Sequence, residues 1–131
     1  MLPKELPTPA ALAFLGDAVH SHYVRETLVR RGISHSKDLN AAALRYVTAV
    51  AQERAYRAIA GDLSEEEADV YRRAFNSPHI NRPKNISGET YRTATGFEAV
   101  LGLLDYLGEH DRLGDFLARS MIACESALQE G

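Results

Sequence analysis

Residues 12–19 read Leu12-Ala13-Phe14-Leu15-Gly16-Asp17-Ala18-Val19, an apolar segment interrupted by one carboxylate. A second segment has the same character and reads Thr95-Gly96-Phe97-Glu98-Ala99-Val100-Leu101. Each acid lies close to a glycine in a helical context, where removing a carboxylate from water is costly unless a cation or a hydrogen-bond donor compensates. Two such acids, Asp17 and Glu98, indicate one shared metal site.

The composition of the chain is that of a single globular domain. A chain of 131 residues is long enough to bury most of its apolar surface on folding. Its residues are 45% hydrophobic and 25% charged, which is typical of a globular protein. The net charge of -3 does not by itself indicate a nucleic-acid-binding protein, so any RNA contact depends on how the basic residues are distributed. Cys124 is the only cysteine, and no segment has the pattern of a signal peptide or a membrane span. We therefore expect a cytoplasmic protein.

Hydrophobic periodicity predicts an all-α fold, and no strand pattern is present. Thr8 and Pro9 are typical of an N-cap followed by a first-turn proline, so a first helix should run from there to about Arg31 and be closed by Gly32. We expect Asp17 to lie on a different face from the core stripe, together with small neighbours. That expected stripe comprises Leu12, Leu15, Val19 and Tyr23.

The next helical segments are marked by their caps. Ser34 or Ser36 can cap a stretch that ends at Gly61 and breaks near Thr48. The sequence from Ser64 to Glu67 predicts a capping box that opens a short helix to about Phe75. Its acidic first turn is better explained by the helix dipole than by a metal role. The expected buried side of the earlier stretch comprises Leu39, Ala43, Tyr46 and Val50.

The two C-terminal helices should form much of the core. A helix from Ser87 or Gly88 to about Leu107 has apolar residues in every direction around its axis, so we expect it to be central. Glu98 in its middle must then be paired, hydrogen-bonded, protonated or bound to a cation. A final helix from about Asp111 has an apolar stripe that comprises Leu113, Leu117, Met121, Cys124 and Leu128.

A long basic loop separates the short helix from the central one. Pro78 and Pro83 exclude a helix between Asn76 and Ser87, and long ordered loops are often functional. Cationic residues concentrate in and beside this loop, so it is the expected site of phosphate contact. A solvated polar loop without a partner is the alternative. The candidate phosphate-binding residues are Arg72, Arg73, Arg82 and Lys84.

Oxygen ligands on two helices would suit Mg²⁺. This ion commonly keeps several waters and needs only one or two protein carboxylates, while a substrate phosphate completes its octahedron. Asp17 and Glu98 would be sufficient anchors, and the metal can activate water for phosphodiester hydrolysis. The competing interpretation is that each acid forms a salt bridge with a buried arginine. The five histidines form no zinc-binding pattern, and we expect them mostly at the surface or near phosphate.

These two motifs carry a resemblance. LAFLGDAV resembles the signature of the ribonuclease III family, and YRTATGFEAVLG is similar to that family's second acidic segment. The closer resemblance is to Mini-ribonuclease III, a subgroup with only the helical nuclease domain and no double-stranded-RNA-binding domain. This resemblance covers nearly all of residues 1–131, which we expect to form one such domain. Larger members have two further carboxylates, at positions that are Ala13 and Thr95 here. This reduction is typical of the subgroup, and Thr95 could still hydrogen-bond a metal-bound water.

The resemblance implies a Mg²⁺-dependent endoribonuclease with Asp17 and Glu98 as the catalytic, metal-binding pair. It also implies a homodimer in which each of two centres cuts one strand of double-stranded RNA, for this subgroup the stem of precursor 23S ribosomal RNA. Duplex RNA is recognised mainly by shape, phosphate and 2′-hydroxyl contacts, so little base-specific machinery is expected.

Two other classes of function fit the same residues. The first is a non-catalytic helical dimer that binds RNA or associates with the ribosome. The second is a protein-interaction domain whose basic loop contacts an acidic partner. The presence of both Asp17 and Glu98 argues against a non-catalytic protein. Steep weakening of binding with salt would indicate RNA.

Overall fold

The computed structural model describes residues 6–78 and 84–130, and side chains as far as Ala127. Within these ranges the chain is helical and has no strand, which confirms the all-α prediction. A single 3₁₀ turn, Ala60–Asp62, follows the third helix. The helices of the described residues are α1 (Pro9–Arg30), α2 (Ser36–Val47), α3 (Ala49–Ile59), α4 (Glu65–Phe75), α5 (Gly88–Tyr106) and α6 (His110–Glu130).

The ends of α1 lie where the sequence predicts them. The Thr8 hydroxyl accepts a hydrogen bond from the backbone N–H of Ala11 at 3.1 Å, and Pro9 occupies the first turn. Gly32 has a φ of 95°, a left-handed conformation that a residue without a β-carbon adopts at little cost. Both boundary predictions are therefore confirmed.

The predicted core stripe of α1 is only partly correct. Leu12 is buried, and Val19 and Tyr23 pack against the core, but these two side chains and Leu15 are only partly buried. The reason is that α1 packs against α5 through a face one position away that contains small residues. Large apolar side chains dominated the sequence prediction, whereas a close helix crossing selects small ones. The residues of α1 that are buried are Leu12, Ala13, Gly16, His20, Val24 and Leu28.

The break between α2 and α3 is also confirmed. Thr48 is extended, with φ -70° and ψ 159°, and its hydroxyl accepts a hydrogen bond from the N–H of Ala51 at 3.2 Å. Because the chain turns here, α3 does not continue the helical phase of α2. Val50 is therefore 49% exposed, and its predicted burial was wrong, while the burial predicted for Tyr46 is correct.

The capping box that opens α4 joins this helix to α6. Ser64 and Glu67 exchange the two predicted hydrogen bonds. The buried Glu67 carboxylate also accepts from the Arg112 guanidinium of α6, with Nη2 to Oε1 at 2.7 Å. Burial alone would raise the pKa of Glu67, but the hydrogen bonds from Arg112 and Ser64 outweigh it and leave the pKa below its ordinary value.

Helix α5 is central, as predicted. It packs against α1, α3, α4 and α6, and Phe97, Val100 and Leu101 are fully buried. The apolar stripe predicted for α6 is confirmed from Leu113 to Cys124, whereas the side chain of Leu128 lies outside the described residues. Along the predicted loop, residues 76–78 and 84–87 are described without helix, and His79, Arg82 and Pro83 lie outside the described residues.

Candidate active site

The candidate site lies where α1 crosses α5. Gly16 and Gly102 face each other at this crossing, and a β-carbon on Gly16 would overlap the carbonyl oxygen of Glu98. A β-carbon on Gly102 would likewise overlap the carbonyl oxygen of Leu12. The two backbones are therefore in direct contact, which glycine permits. Asp17, next to Gly16, is carried by this crossing to the turn of α5 that holds Glu98.

Asp17 and Glu98 line the same cleft of about 320 Å³. Asp17 is exposed to solvent, while Glu98 is partly buried. No ion pair of the described residues involves either acid, so the alternative of two arginine salt bridges receives no support there. The remaining residues that line the cleft are Ala10, Ala13, Phe14, Ala74, Ser77, Pro78, Tyr91 and Thr95.

The surroundings of Glu98 strongly change the pKa of this acid. The pKa of Glu98 is raised to about 8, mainly by burial and then by a hydrogen bond with Asp17 and the negative charge of Asp17, whereas a hydrogen bond from Gln52 opposes the increase. Without a cation, Glu98 is therefore mostly protonated at neutral pH and donates to the Asp17 carboxylate. A divalent cation between the two acids would take the place of this proton.

Behind Glu98 lies a buried polar pair that the sequence prediction missed. Gln52 of α3 is 4% exposed, and its Nε2 lies 3.0 Å from His20 Nδ1 and 3.3 Å from Glu98 Oε2. His20 is 2% exposed and packs edge-on against Phe97, with ring centroids 5.3 Å apart. Placing His20 at the surface or near phosphate was therefore wrong, because it lies one turn after Gly16 on the packed face of α1. That spacing was the only sequence signal for its burial.

The neutral form of His20 dominates at physiological pH. Burial lowers its pKa to about 4, and the nearby negative charge of Asp17 only partly opposes this effect. The ring can therefore accept a hydrogen bond at Nδ1 from the Gln52 amide.

Space for a substrate group comes from the two positions that lack carboxylates. Ala13 and Thr95 both line the cleft beside the acids. The Thr95 hydroxyl donates to the carbonyl oxygen of Tyr91 at 3.0 Å, which leaves the lone pairs of its oxygen for another donor such as water.

The donor set suits Mg²⁺ better than zinc. The described residues contain no cluster of three or more histidine, cysteine, aspartate or glutamate side chains that could hold a metal. Mg²⁺ needs only one or two carboxylates, and its other ligands are waters and phosphate oxygens. Two adjoining carboxylates at a solvent-accessible cleft fit this requirement.

The predicted phosphate-binding residues that the structure describes do not line the acid cleft, although Arg72 and Arg73 directly precede Ala74, which does. Arg72 and Arg73, on the last turn of α4, are exposed and both contact Asp69, at 2.7 and 3.0 Å. Exposed pairs of this kind are weak, so both guanidinium groups can still engage an external anion. Lys84 is exposed, and Arg82 lies outside the described residues.

Comparison with known proteins identifies the family. The model of the ribonuclease III domain matches residues 10–107 of this chain. The Mini-ribonuclease 3 of Symbiobacterium thermophilum is 42% identical over 115 residues, which are 88% of each chain. The chain belongs to the Mini-ribonuclease 3 group of the ribonuclease III family. It is therefore an endoribonuclease of the type that acts on double-stranded RNA.

Other Mini-ribonuclease 3 proteins show similar identity. That of a Thermoanaerobacter species is 41% identical and covers 90% of this chain and 83% of its own. That of Brevibacillus brevis is 38% identical and covers 92% and 90%. The crystal structure of a Fusobacterium nucleatum protein superposes with a TM-score of 0.80 at 26% identity and covers 90% of this chain and 94% of that one. These likenesses support the endoribonuclease assignment and the all-α fold.

None of the described helices has the length and apolar character of a membrane span.

Proposed function

We propose that this Mini-ribonuclease 3 hydrolyses double-stranded RNA with Mg²⁺ held by Asp17 and Glu98. The observation that carries the proposal is that two acids from different helices meet at one cleft without an arginine partner among the described residues. Burial, and then the hydrogen bond and negative charge of Asp17, raise the pKa of Glu98 to about 8, and a divalent cation would stabilise the ionised form of Glu98 instead.

The bound ion would supply an activated water and stabilise the charge on the phosphate and the leaving oxygen. This chain's residues provide the rest. Asp17 and Glu98 project from helices that are in backbone contact, so the distance between the carboxylates is fixed by rigid elements. Ala13 and Thr95 keep the cleft beside the acids open for a phosphate group.

The enzyme would act as a homodimer, with each centre cutting one strand. Phe14 supports this part of the proposal, because it is 85% exposed although it lies on α1 three residues before Asp17. Aromatic side chains contribute strongly to protein interfaces, so a second copy packed on this face would gain free energy by burying Phe14. A second copy packed on this face would place two acid clefts on one RNA-binding surface.

The substrate we propose is the stem of precursor 23S ribosomal RNA, which would be processed in the cytoplasm on the pre-ribosome. The support is membership in the Mini-ribonuclease 3 group together with a run of basic residues that lies close in sequence to the cleft residues Ala74, Ser77 and Pro78. These basic residues are Arg72, Arg73, Arg82 and Lys84. Contacts of these cations with phosphates would position a duplex over the acids without reading its sequence.

A cleavage assay on a long RNA duplex tests the proposal. Cutting should require Mg²⁺, and Asp17→Asn or Glu98→Gln should abolish it while circular dichroism and the oligomeric state stay unchanged. Normal cutting by either variant would refute the mechanism. Duplex binding without any cutting by the wild-type protein would instead favour a non-catalytic RNA-binding dimer.

A further inference from the structure

Gln52 is the group that links the buried side of the candidate site to its acidic side. Its amide nitrogen lies within hydrogen-bond distance of both His20 Nδ1, at 3.0 Å, and Glu98 Oε2, at 3.3 Å. That nitrogen carries two hydrogens, so it can donate to both acceptors at once. The three side chains come from α1, α3 and α5, and therefore connect three helices at one point.

The Gln52 amide nitrogen is placed to serve both neighbours when a cation is bound. In that state Glu98 is ionised, and with the His20 proton on Nε2 both Nδ1 and Oε2 are acceptors for the two amide hydrogens. A flipped amide would then set its carbonyl oxygen against two acceptors and lose both hydrogen bonds. His20 thus favours the orientation in which the amide holds Oε2 of Glu98.

We propose that Gln52, oriented by His20, is a positioning residue that holds Oε2 of Glu98 and so directs the carboxylate toward the divalent cation. This inference depends on the metal-binding role of Glu98 in the proposed function. Mutation of a group that hydrogen-bonds a metal ligand typically lowers metal affinity or activity 10- to 100-fold, so the loss of the Gln52 amide should be measurable.

A purely structural role is the alternative, since Gln52 and His20 are both buried in the helical bundle. The two roles can be separated at His20. In His20→Asn, the side-chain oxygen can replace Nδ1 as an acceptor, but the loss of the ring leaves a cavity beside Phe97. In His20→Phe, a ring fills the space but no acceptor remains. Metal affinity and stability should therefore rank these two variants in opposite orders.

The experiment is a calorimetric titration of the full chain with Mn²⁺, which serves as the probe ion, accompanied by thermal unfolding in a chelator. Gln52→Met has a similar length but no donor, and its Kd for Mn²⁺ should rise about 10-fold or more. His20→Asn should bind Mn²⁺ with nearly the affinity of the wild type, although its melting temperature should be lower than that of the wild type. His20→Phe should melt later than His20→Asn but bind Mn²⁺ more weakly.

A control variant tests whether the loss of a buried polar group elsewhere in the protein is enough to weaken Mn²⁺ binding. Thr93→Val removes a buried hydroxyl from α5 that lines a different cavity from the acids, and it should leave the Kd for Mn²⁺ unchanged. In cleavage assays, Gln52→Met should raise the Mg²⁺ concentration needed for half-maximal rate, and saturating Mg²⁺ should restore much of kcat.

The outcomes distinguish this inference from the proposed function. If the wild type does not bind Mn²⁺, or Asp17→Asn binds it as well as the wild type, the metal site itself is refuted and the inference with it. If the wild type binds Mn²⁺ and Gln52→Met binds equally well, only the positioning role is refuted. The positioning role would also be refuted if the more stable of the two His20 variants were the one that binds Mn²⁺ more tightly. If Gln52→Met does not fold, the comparison of His20→Asn with His20→Phe decides between the positioning role and a purely structural one.

Discussion

Gly16 and Gly102 lie opposite each other where α1 crosses α5, and neither position has room for a β-carbon. A β-carbon on Gly16 would lie 2.9 Å from the Gly102 nitrogen, and one on Gly102 would lie 3.1 Å from the Gly16 nitrogen. The atoms in the way belong to the backbone, so they cannot rotate aside as a side chain does. The approach of the two helices, and with it the separation of Asp17 and Glu98, depends on these glycines.

We expect Gly16→Ala or Gly102→Ala to push α1 away from α5. The cost should be on the order of 3 kcal/mol of unfolding free energy, because overpacking against rigid backbone allows little local relief. Cleavage activity should fall even under conditions where the protein remains folded, since the two carboxylates would no longer be correctly spaced. Urea unfolding and the cleavage rate together measure both effects.

Gly114→Ala is the matched control for these variants. Gly114 lies in α6, and nothing lies within 4 Å of the β-carbon that alanine would add. Alanine is the better helix former by about 1 kcal/mol, so this variant should be as stable as the wild type or more stable, with normal activity. Equal stability of Gly16→Ala and Gly114→Ala would contradict the proposed close crossing.

The stability of the metal-free protein should depend on the protonation of Glu98. The pKa of this group is near 8 in the folded state and 4.5 for an ordinary glutamate, so the folded protein holds a proton that the unfolded chain does not. The contribution of this proton is fully present below pH 4.5 and disappears as the pH rises through 8. Unfolding free energy in a chelator should therefore fall between pH 6.5 and 8.5, by at most about 1.4 kcal/mol per pH unit.

Glu98→Gln should remove this part of the pH dependence. The chosen window avoids His20, whose lowered pKa of about 4 makes stability decline only as the pH falls below 6.5. Adding Mg²⁺ to the wild type should restore stability at pH 8.5 more than at pH 6.5, because the ion competes with the proton for Glu98. A wild type and a Glu98→Gln variant with the same pH profile would show that Glu98 has an ordinary pKa.

Local signals in the sequence predicted most of the helix boundaries. The predicted cap of α2, Ser34 or Ser36, was wrong, because the N-cap is His35 and makes no side-chain capping hydrogen bond. Thr8, Thr48 and Ser64 cap helices through hydrogen bonds to backbone groups three residues ahead, and such bonds depend on nearby sequence alone. The prediction that Asp17 and Glu98 share one site was based on the apolar, glycine-containing segment around each acid. These features needed no knowledge of how the helices pack.

Packing decided what the sequence did not reveal. His20 is buried because a glycine crossing draws its face of α1 against α5, and a prediction from large apolar residues points to a different face. Gln52 approaches Glu98 only because α3 lies against α5, so the sequence offered no local signal for that hydrogen bond. Val50 was misplaced because one extended residue, Thr48, resets the phase of the following helix.

Duplex RNA binding should depend on the exposed cations at the end of α4 and after it. In an Asp17→Asn background, which should prevent cutting, replacing Arg72, Arg73 or Lys84 by alanine should weaken binding and make it less salt-dependent. The slope of log affinity against log salt should decrease by roughly one for each phosphate that the protein no longer neutralises. Filter binding at several KCl concentrations measures this slope.

Arg45→Ala provides the comparison, because Arg45 is an exposed cation on α2, a helix that contributes no residue to the acid cleft. It should leave the slope unchanged. If Arg45→Ala and Arg72→Ala reduced affinity equally, binding would reflect only the net charge of the protein and not a defined surface.

Phe14 should decide whether two acid clefts work on one duplex. It is 85% exposed and lines the cleft of Asp17 and Glu98, so a partner that covers it would also lie beside the acids. We expect Phe14→Ser to shift the protein toward monomer in sedimentation equilibrium, because burial of an aromatic side chain contributes about 2 kcal/mol to such a contact on each side. The variant should retain its helicity and lose coupled cutting of both strands.

Ile122→Ser is the matched control. It removes another exposed apolar side chain, 61% exposed on α6 and not part of the cleft, and should leave assembly unchanged. A dimer that survives Phe14→Ser but not Ile122→Ser would place the subunit contact on α6, and the two acid clefts would then not be brought together by α1.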